Sequence, residues 1–253
     1  MPRFAANLTF LFTERPFLDR FAAARAAGFD AVEALFPYDH PAQSVRDRLD
    51  AASLHLVLIN TPAADWADGG RGCAAIPGQE DRFRREFAQA QDYAEALGAG
   101  LVHIMSGLAS GPEARECYLR NLEWAAAQVP ARRLTIEPIN PIDMPGYFLN
   151  DFTQAGAILN ELAAPNLHLQ FDAYHAHRII GDVNAAWRRY GQRAAHIQIA
   201  GYPGRQEPTG GLIDYPAFFS QLDAEGYVGH VSAEYFPAGD TAEGLGWFSK
   251  AKG

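Results

Sequence analysis

The sequence predicts an α/β protein that folds as one (β/α)8 TIM barrel. Short apolar runs alternate with amphipathic stretches along all 253 residues, and this length suits a single barrel. The longest irregular segments, residues 61–78, 139–150 and 201–213, all follow predicted strands. Loops at the carboxyl ends of barrel strands form the active site in this architecture. An open doubly wound sheet is the alternative fold, but no glycine-rich phosphate-binding sequence follows the first strand.

Eight strand and helix pairs account for the chain in order, as one domain over residues 1–253. The predicted strands are apolar runs at residues 4–9, 30–36, 54–60, 100–105, 133–137, 167–172, 195–200 and 230–234. The predicted helices are residues 16–27, 41–52, 79–97, 113–128, 151–162, 182–191, 214–225 and 241–250. Pro16 and Gly28 are start and stop signals of the first helix, and Asp151 is a candidate N-cap.

Composition and charge narrow the classes of function. Hydrophobic residues make up 48% of the chain and charged residues 20%, which is enough to bury a large core. The formal charge of −9 argues against a nucleic-acid surface. The apolar run at residues 4–12 is too short and too polar for a membrane span or signal peptide, so we expect a cytoplasmic protein. Cys73 and Cys117 lack metal-ligand spacing, which favours two reduced thiols.

Four predicted strands end in a polar side chain that can coordinate a metal ion. These residues are Glu137, Asp172, Gln198 and Glu234. Because side chains two apart share a face of a strand, the residues two positions earlier also turn inward. Those residues are Thr135, Gln170, His196 and Ser232. Three carboxylates in a partly desolvated mouth repel one another unless a cation lies between them, so the pattern predicts a divalent ion. Oxygen ligands favour Mg²⁺ or Mn²⁺, and Zn²⁺ and Co²⁺ are left open.

Longer motifs then follow one another in the order of a known family. They read AANLTFLF, FPYDH, PAADWADGGRG with IPG, IEPIN with PGYFL, FDAYH, HIQIA with PGRQEP, and AEY with EGLGWF. In them the chain resembles the hydroxypyruvate isomerase family, which includes the 2-oxo-tetronate isomerases, among the xylose isomerase-like barrels. The resemblance implies that Glu137, Asp172, Gln198 and Glu234 are metal ligands.

The resemblance also implies a reaction. It is a proton transfer between adjacent carbons of a small hydroxy or oxo acid, through an enediolate, with Glu137 and Glu234 as the acid/base pair. The candidate conversions are hydroxypyruvate to tartronate semialdehyde and the isomerisation of a 2-oxo-tetronate. We therefore expect a small anionic substrate and neither nucleic acid nor membrane as partner. Homo-oligomerisation is left open.

Three residues are candidate substrate contacts. His175 lies three positions beyond Asp172, where similar barrels place a histidine. Arg205 lies on the loop after the seventh strand, and a guanidinium there can hold a carboxylate bidentately. Arg71, in the sequence GGRG, is the second candidate for this role. Weaker candidates for lining the pocket are Asn7, Glu33, Asn60 and His103.

Two departures from the family leave the substrate open. Many members carry lysine where this chain has Phe236, so a cation near Glu234 is lost, and many carry glutamine where His177 stands. A ketose 3-epimerase or an inosose dehydratase of the same barrel is the alternative enzyme, although ketose epimerases usually supply histidine at the position of Gln198. An endonuclease of this fold would need more histidine ligands and a basic groove. A sugar-acid binding module is the non-enzyme alternative.

Overall fold

A computed structural model describes residues 2–63 and 66–251, and it confirms the predicted barrel. All strand pairings are parallel. The strands are β1 (Arg3–Asn7), β2 (Ala31–Glu33), β3 (His55–Leu56), β4 (Leu58–Asn60), β5 (Leu101–His103), β6 (Arg133–Ile136), β7 (Leu167–Asp172), β8 (Ala194–Ile199) and β9 (His230–Ala233). Residues 64 and 65, in the irregular segment predicted over residues 61–78, lie outside the described part.

Helices alternate with these strands and surround them. They are α1 (Phe17–Ala26), α2 (Ala42–Ala52), α3 (Glu80–Leu97), α4 (Gly111–Gln128), α5 (Phe152–Leu162), α6 (Ala173–Ile180), α7 (Val183–Tyr190), α8 (Tyr215–Ala224), α9 (Thr241–Gly244) and α10 (Gly246–Ala251). The predicted N-cap is confirmed, because the Asp151 carboxylate accepts a hydrogen bond from the Gln154 amide at 3.0 Å. The last predicted helix is wrong in its continuity, since it divides at Leu245 into α9 and α10.

The ring closes at the third strand of the barrel. The order of strands is β3-β2-β1-β9-β8-β7-β6-β5-β4, so the predicted strand over residues 54–60 is divided in two. Its first half pairs with β2 and its second half with β5, with only Val57 between them. The Val57 amide donates to the Val32 carbonyl at 2.8 Å, and the Asn60 amide to the Leu35 carbonyl at 2.9 Å. Both halves therefore contact the β2 side, and the nine segments occupy eight strand positions.

The outward faces of the strands are apolar and pack against the helices. Phe171 of β7 is fully buried, and its ring centroid lies 5.5 Å from that of Phe152, 5.2 Å from Trp187 and 6.0 Å from Phe218. Burial of such a ring contributes roughly 1.5–3 kcal/mol to stability. This packing leaves the inward faces of the same strands free to carry polar groups.

Helix α6 departs from the sequence prediction. The predicted helices leave residues 173–181 outside any helix, and this is wrong because Asp172 caps a helix that begins at the next residue. Its Oδ1 accepts hydrogen bonds from the backbone amides of Tyr174 at 2.7 Å and His175 at 3.1 Å. The cap holds His175 in the first turn of α6, directly beside the end of β7.

Two smaller findings concern the cysteines and membrane spans. Cys73 and Cys117 are both buried thiols. Within residues 2–63 and 66–251, none of the helices combines the length and apolar character needed to cross a membrane.

Candidate active site

A cavity of about 390 Å³ opens at the carboxyl ends of the strands. This volume lies within the range of small-molecule sites in proteins. Its polar floor contains Glu137, Gln170, His175, Gln198 and Glu234. Its walls are largely apolar and include Phe10, Leu35, Trp66, Met105, Ile139 and Phe236. The cavity therefore lies at the mouth that the irregular loops border.

The structure brings the four predicted metal ligands together at this floor. A carboxylate oxygen of Glu137, one of Asp172 and a ring nitrogen of His175 all lie within 4.8 Å of one another. On the other side, the Gln198 amide nitrogen donates a short hydrogen bond to Glu234. All of these side chains are buried, and each is placed by a strand end or, for His175, by the first turn of α6.

Gln170 supports this layer from below. Its amide nitrogen donates to Glu137 Oε2 at 3.0 Å and to Gln198 Oε1 at 2.8 Å. Its oxygen accepts from the Thr135 hydroxyl at 3.0 Å. Since both ends of the Gln170 amide are bonded, its orientation is fixed, and so is that of Gln198 above it.

A fourth carboxylate, Glu33 at the end of β2, belongs to the same cluster. It accepts hydrogen bonds from Asn7 Nδ2 at 2.5 Å and Gln198 Nε2 at 2.6 Å, and it lies 2.5 Å from His196 Nε2. Asn7 also donates to Glu234 Oε2 at 3.1 Å. In the sequence, Glu33 is only a weak candidate for lining the pocket, although it ends a strand as the other acids do. The missing signal was its partners, which come from strands far along the chain.

The electrostatics of the cluster follow from its burial. Desolvation, followed by repulsion from Glu234 and Asp172, raises the pKa of Glu137 well above its usual range. Desolvation also raises the pKa of Glu234 well above its usual range, and Arg205 opposes that shift. Burial raises the pKa of Asp172 as well, and that of Glu33 to about 7. The cluster thus holds more buried acid than its hydrogen bonds compensate at neutral pH.

Arg205 places its guanidinium against this cluster. Its NH2 donates to Glu234 Oε1 at 2.7 Å and lies 3.8 Å from Asp172 Oδ2. The guanidinium carbon lies 5.2 Å from the ring centroid of Tyr174 and 5.6 Å from that of Phe10, so two aromatic rings hold its plane. Among the described residues, its buried Nε has no hydrogen-bond partner. Arg205 therefore has a donor to offer a further oxyanion.

His175 lies beside the carboxylates without a direct hydrogen bond to them. Its Nε2 is 3.9 Å from Glu137 Oε1 and 3.7 Å from Asp172 Oδ2. Its other nitrogen, Nδ1, is 2.6 Å from the Asn140 side-chain nitrogen, which donates to it. Burial lowers the pKa of His175 well below its usual range, so the ring is neutral and carries its proton on Nε2, facing the site.

Arg71 and His103 line the same cavity, and His103 Nδ1 lies 3.7 Å from Glu137 Oε2. Arg71 donates to the carbonyls of Gly70 at 2.6 Å and Trp66 at 3.2 Å, and its guanidinium lies 4.0 Å from the Trp66 ring centroid. His103 lies 3.2 Å from Asn60 Oδ1. Arg71 therefore belongs to the wall of the cavity, and its predicted contact with substrate stays a prediction.

The donor set fits a divalent cation. The carboxylates of Glu137, Asp172 and Glu234 are hard oxygen donors, which suit Mg²⁺ and Mn²⁺. The amide oxygen of Gln198 is of the same kind, but in this structure it accepts from Gln170. Asp172 divides its two oxygens, since Oδ1 caps α6 while the buried Oδ2 has no hydrogen-bond partner among the described residues. A cation would also relieve the repulsion that raises the pKa values of Glu137 and Glu234.

Known proteins share the sequence pattern of this chain. A family model described as a xylose isomerase-like TIM barrel matches residues 21–251. The 2-oxo-tetronate isomerase of Cupriavidus necator is 48% identical, over 98% of this chain and 97% of its own length. The hydroxypyruvate isomerase of Escherichia coli K12 is 38% identical, over 98% of both chains.

Solved structures give the same architecture. A Brucella melitensis protein described as an AP endonuclease of family 2 is 41% identical, with a TM-score of 0.96 over 99% of both chains. An L-ribulose 3-epimerase structure is 24% identical, with a TM-score of 0.77 over 100% of this chain and 86% of its own. At that identity the likeness to the epimerase shows the fold alone.

The raised pKa values predict how stability depends on pH when no metal is bound. The folded protein holds protons on Glu33, Glu137 and Glu234 more tightly than the unfolded chain does, so stability is fully present below the unfolded pKa and is lost as pH rises. We expect Glu137→Gln, which removes one of these charges, to lose less unfolding free energy than wild type between about pH 5 and about pH 8. Urea unfolding in EDTA measures this difference.

Glu113→Gln is the matched control, because Glu113 lies exposed at the start of α4. It should follow the wild-type pH dependence. A Glu137→Gln variant that loses as much stability as wild type over this range would contradict the assigned repulsion.

Proposed function

Since the chain belongs to the xylose isomerase-like TIM barrel family, and within it to the group of 2-oxo-tetronate and hydroxypyruvate isomerases, we propose that it isomerises small oxo acids. The substrate class is hydroxypyruvate or a 2-oxo-tetronate. The observation that carries the proposal is the meeting of three buried strand-end acids, Glu137, Asp172 and Glu234, at the floor of one cavity. Such a group suits proton transfer at a carbon next to a carbonyl.

The proton transfer is assigned to two glutamates. Glu137 follows β6 and Glu234 follows β9, and two strands lie between these in the ring, so the two side chains approach the cavity from different sides. Their mutual repulsion favours a state in which one is ionised while the other holds a proton. The ionised glutamate takes the proton from the hydroxyl-bearing carbon, which gives an enediolate. A proton is then returned to the adjacent carbon, and the hydroxyl proton passes from the first oxygen to the second. These two transfers together exchange the carbonyl and the hydroxyl.

The other residues hold the substrate and its charge. Arg205 binds the substrate carboxylate, because its plane is fixed by two rings and its Nε has a free donor among the described residues. His175 donates its Nε2 proton to a substrate oxygen. The proposed metal ligands are Glu137, Asp172, Gln198 and Glu234, and a bound divalent ion supplies Lewis-acid polarisation of the carbonyl. Mg²⁺ or Mn²⁺ suits these ligands best, and Zn²⁺ or Co²⁺ is compatible with them.

A nuclease is the competing function, because the Brucella melitensis relative is described as an AP endonuclease. The described residues supply one group of potential metal ligands, and it contains a single histidine, His175. The chain also carries a net charge of −9, which opposes binding to a phosphate backbone. Both features favour a small oxo acid over DNA as substrate.

We expect Glu137→Gln and Glu234→Gln each to lower kcat by about 10²- to 10⁴-fold, because an amide cannot exchange the proton. Proton NMR in D₂O, with hydroxypyruvate and a 2-oxo-tetronate as substrates, measures turnover and the deuterium gained at carbon. Glu113→Gln should behave as wild type. Near-normal turnover in either active-site variant would contradict the acid/base assignment. Saturable substrate binding by wild type without any deuterium exchange would instead identify a binding module.

We expect chelation by EDTA to abolish turnover and added Mg²⁺ or Mn²⁺ to restore it, because the buried acids need a counter-cation and the carbonyl a Lewis acid. A thermal unfolding scan of the same samples should show a higher midpoint with the restoring ion, since the ion binds only the folded site. Full activity after exhaustive chelation would contradict metal dependence.

We expect Arg205→Ala to raise KM for acid substrates by roughly 10- to 100-fold, the value of a charge-assisted hydrogen bond. A neutral ketose of the same length, which lacks the carboxylate, should show a smaller change. Arg85→Ala, an exposed arginine on α3, is the control. The carboxylate contact is refuted if KM for the acids stays at the wild-type value.

A further inference from the structure

A second cavity, of about 500 Å³, lies at the opposite end of the barrel. The first residues of several strands line it, so it opens at the amino-terminal end of the ring. Basic residues from four different strands face it: Arg3 of β1, His55 of β3, Arg133 of β6 and His230 of β9. Its size is in the range of ligand sites.

Strand alternation explains why these basic groups meet. Arg133 lies four residues before Glu137, and His230 lies four residues before Glu234. Each pair shares the inward face of its strand, with ends about 13 Å apart at the usual rise per residue. Arg3 is the register partner of His230 in the β1–β9 pair. The barrel axis thus runs from acids at one mouth to basic groups at the other.

The positive charge of this cavity is not compensated within it. The side chains of Arg3 and Arg133 form no hydrogen bond or ion pair with any residue in 2–63 or 66–251. The one carboxylate among the described lining residues is Glu225, and its oxygens accept hydrogen bonds from Trp187 Nε1 at 2.7 Å and Gln221 Nε2 at 2.8 Å. A chain with a net charge of −9 therefore keeps two unpaired guanidiniums in one concave site.

The positive charge of Arg3 and Arg133 also affects the neighbouring His230. Burial lowers the pKa of His230 to about 4, and the charges of Arg3, His196, His55 and Arg133 add to that shift. His230 is therefore neutral at physiological pH, and it can donate a ring N–H without adding charge. Two guanidiniums beside the neutral imidazole of His230 make a suitable group for binding oxyanions.

We propose that this cavity binds a small polyvalent oxyanion, carrying phosphoryl or carboxylate groups, through Arg3 and Arg133 with His55 and His230 beside them. The site is separate from the proposed substrate cavity, since the two share no lining residue. Its ligand is thus distinct from the acid that undergoes isomerisation, and the inference stands whether or not the proposed reaction is correct.

The test is a titration of the full chain at near-neutral pH and constant ionic strength. The probes are inorganic phosphate, pyrophosphate and malonate, which separate phosphoryl from carboxylate recognition. The readouts are calorimetry and the histidine ring protons in NMR, with His230→Gln used to assign the His230 signal. We expect saturable shifts of the His55 and His230 signals and a higher pKa of His230 in the complex, because a bound anion favours the imidazolium.

Variants locate the binding site. The double variant Arg3→Ala/Arg133→Ala should bind the preferred anion roughly 10- to 100-fold more weakly. The control Arg85→Ala should bind it as wild type does, and so should Arg205→Ala in the other cavity. Arg3→Lys/Arg133→Lys keeps the charge and should retain part of the affinity, so it serves as the second variant if the alanine pair does not fold.

Three outcomes would overturn the proposal. The first is the absence of a saturable shift with all three probes. The second is unchanged affinity in the alanine double variant. If the lysine double variant is used instead, the contradicting result is wild-type affinity together with histidine signals that do not shift. The third is loss of binding in Arg205→Ala, which would place the anion in the substrate cavity.

Discussion

Burial of four carboxylates at one end of a closed ring is the constraint around which the interior of this barrel is arranged. Glu33, Glu137, Asp172 and Glu234 lie within a single polar layer, where uncompensated charge costs several kcal/mol per ion. Amide donors surround them: Asn7, Gln170 and Gln198 each bond at least one of these acids. These donors are all neutral, so they satisfy oxygens without cancelling charge. Arg205 supplies a single positive charge to the four acids, so the layer could also hold a metal ion.

The topology makes this concentration of acid unavoidable. In a closed barrel of parallel strands, every carboxyl end points to the same mouth, so acids at strand ends meet whatever their separation in sequence. Inward-facing side chains near the amino-terminal ends of the same strands lie at the other mouth. Arg133 and Glu137 lie on one strand and its extension, yet they face two different cavities. One short segment thus supplies a basic group to one end and an acid to the other.

Much of this arrangement follows from local sequence. The strand-end positions of Glu137, Asp172, Gln198 and Glu234 can be read from alternation alone, because each closes an apolar run. The conformation of Arg205 cannot be predicted from local sequence. Its backbone takes a left-handed φ of 54°, and its loop is held by contacts such as the Gly201 amide to the Gln206 carbonyl at 2.7 Å.

Other features depend equally on contacts distant in sequence. The hydrogen bond from Gln198 to Glu33 joins residues 165 positions apart, and no local pattern specifies such a pairing. The third strand divides at Val57 because its first half pairs with β2 and its second half with β5. The division therefore depends on how the whole ring closes. Helix α6 was missed for a local reason, because an acid that ends a strand looks the same whether a loop or a helix follows.

The side chain of Asp172 has two structural roles. One oxygen fastens the first turn of α6, and the other belongs to the acid layer. A substitution of Asp172 therefore affects both the folding of α6 and the chemistry of the acid layer. Glutamate keeps the charge but is a poor N-cap. Asparagine, serine and threonine can preserve the cap, but each of them removes the charge. The repertoire open to evolution at this position is therefore far narrower than at the neighbouring acids, whose side chains have no part in holding a helix.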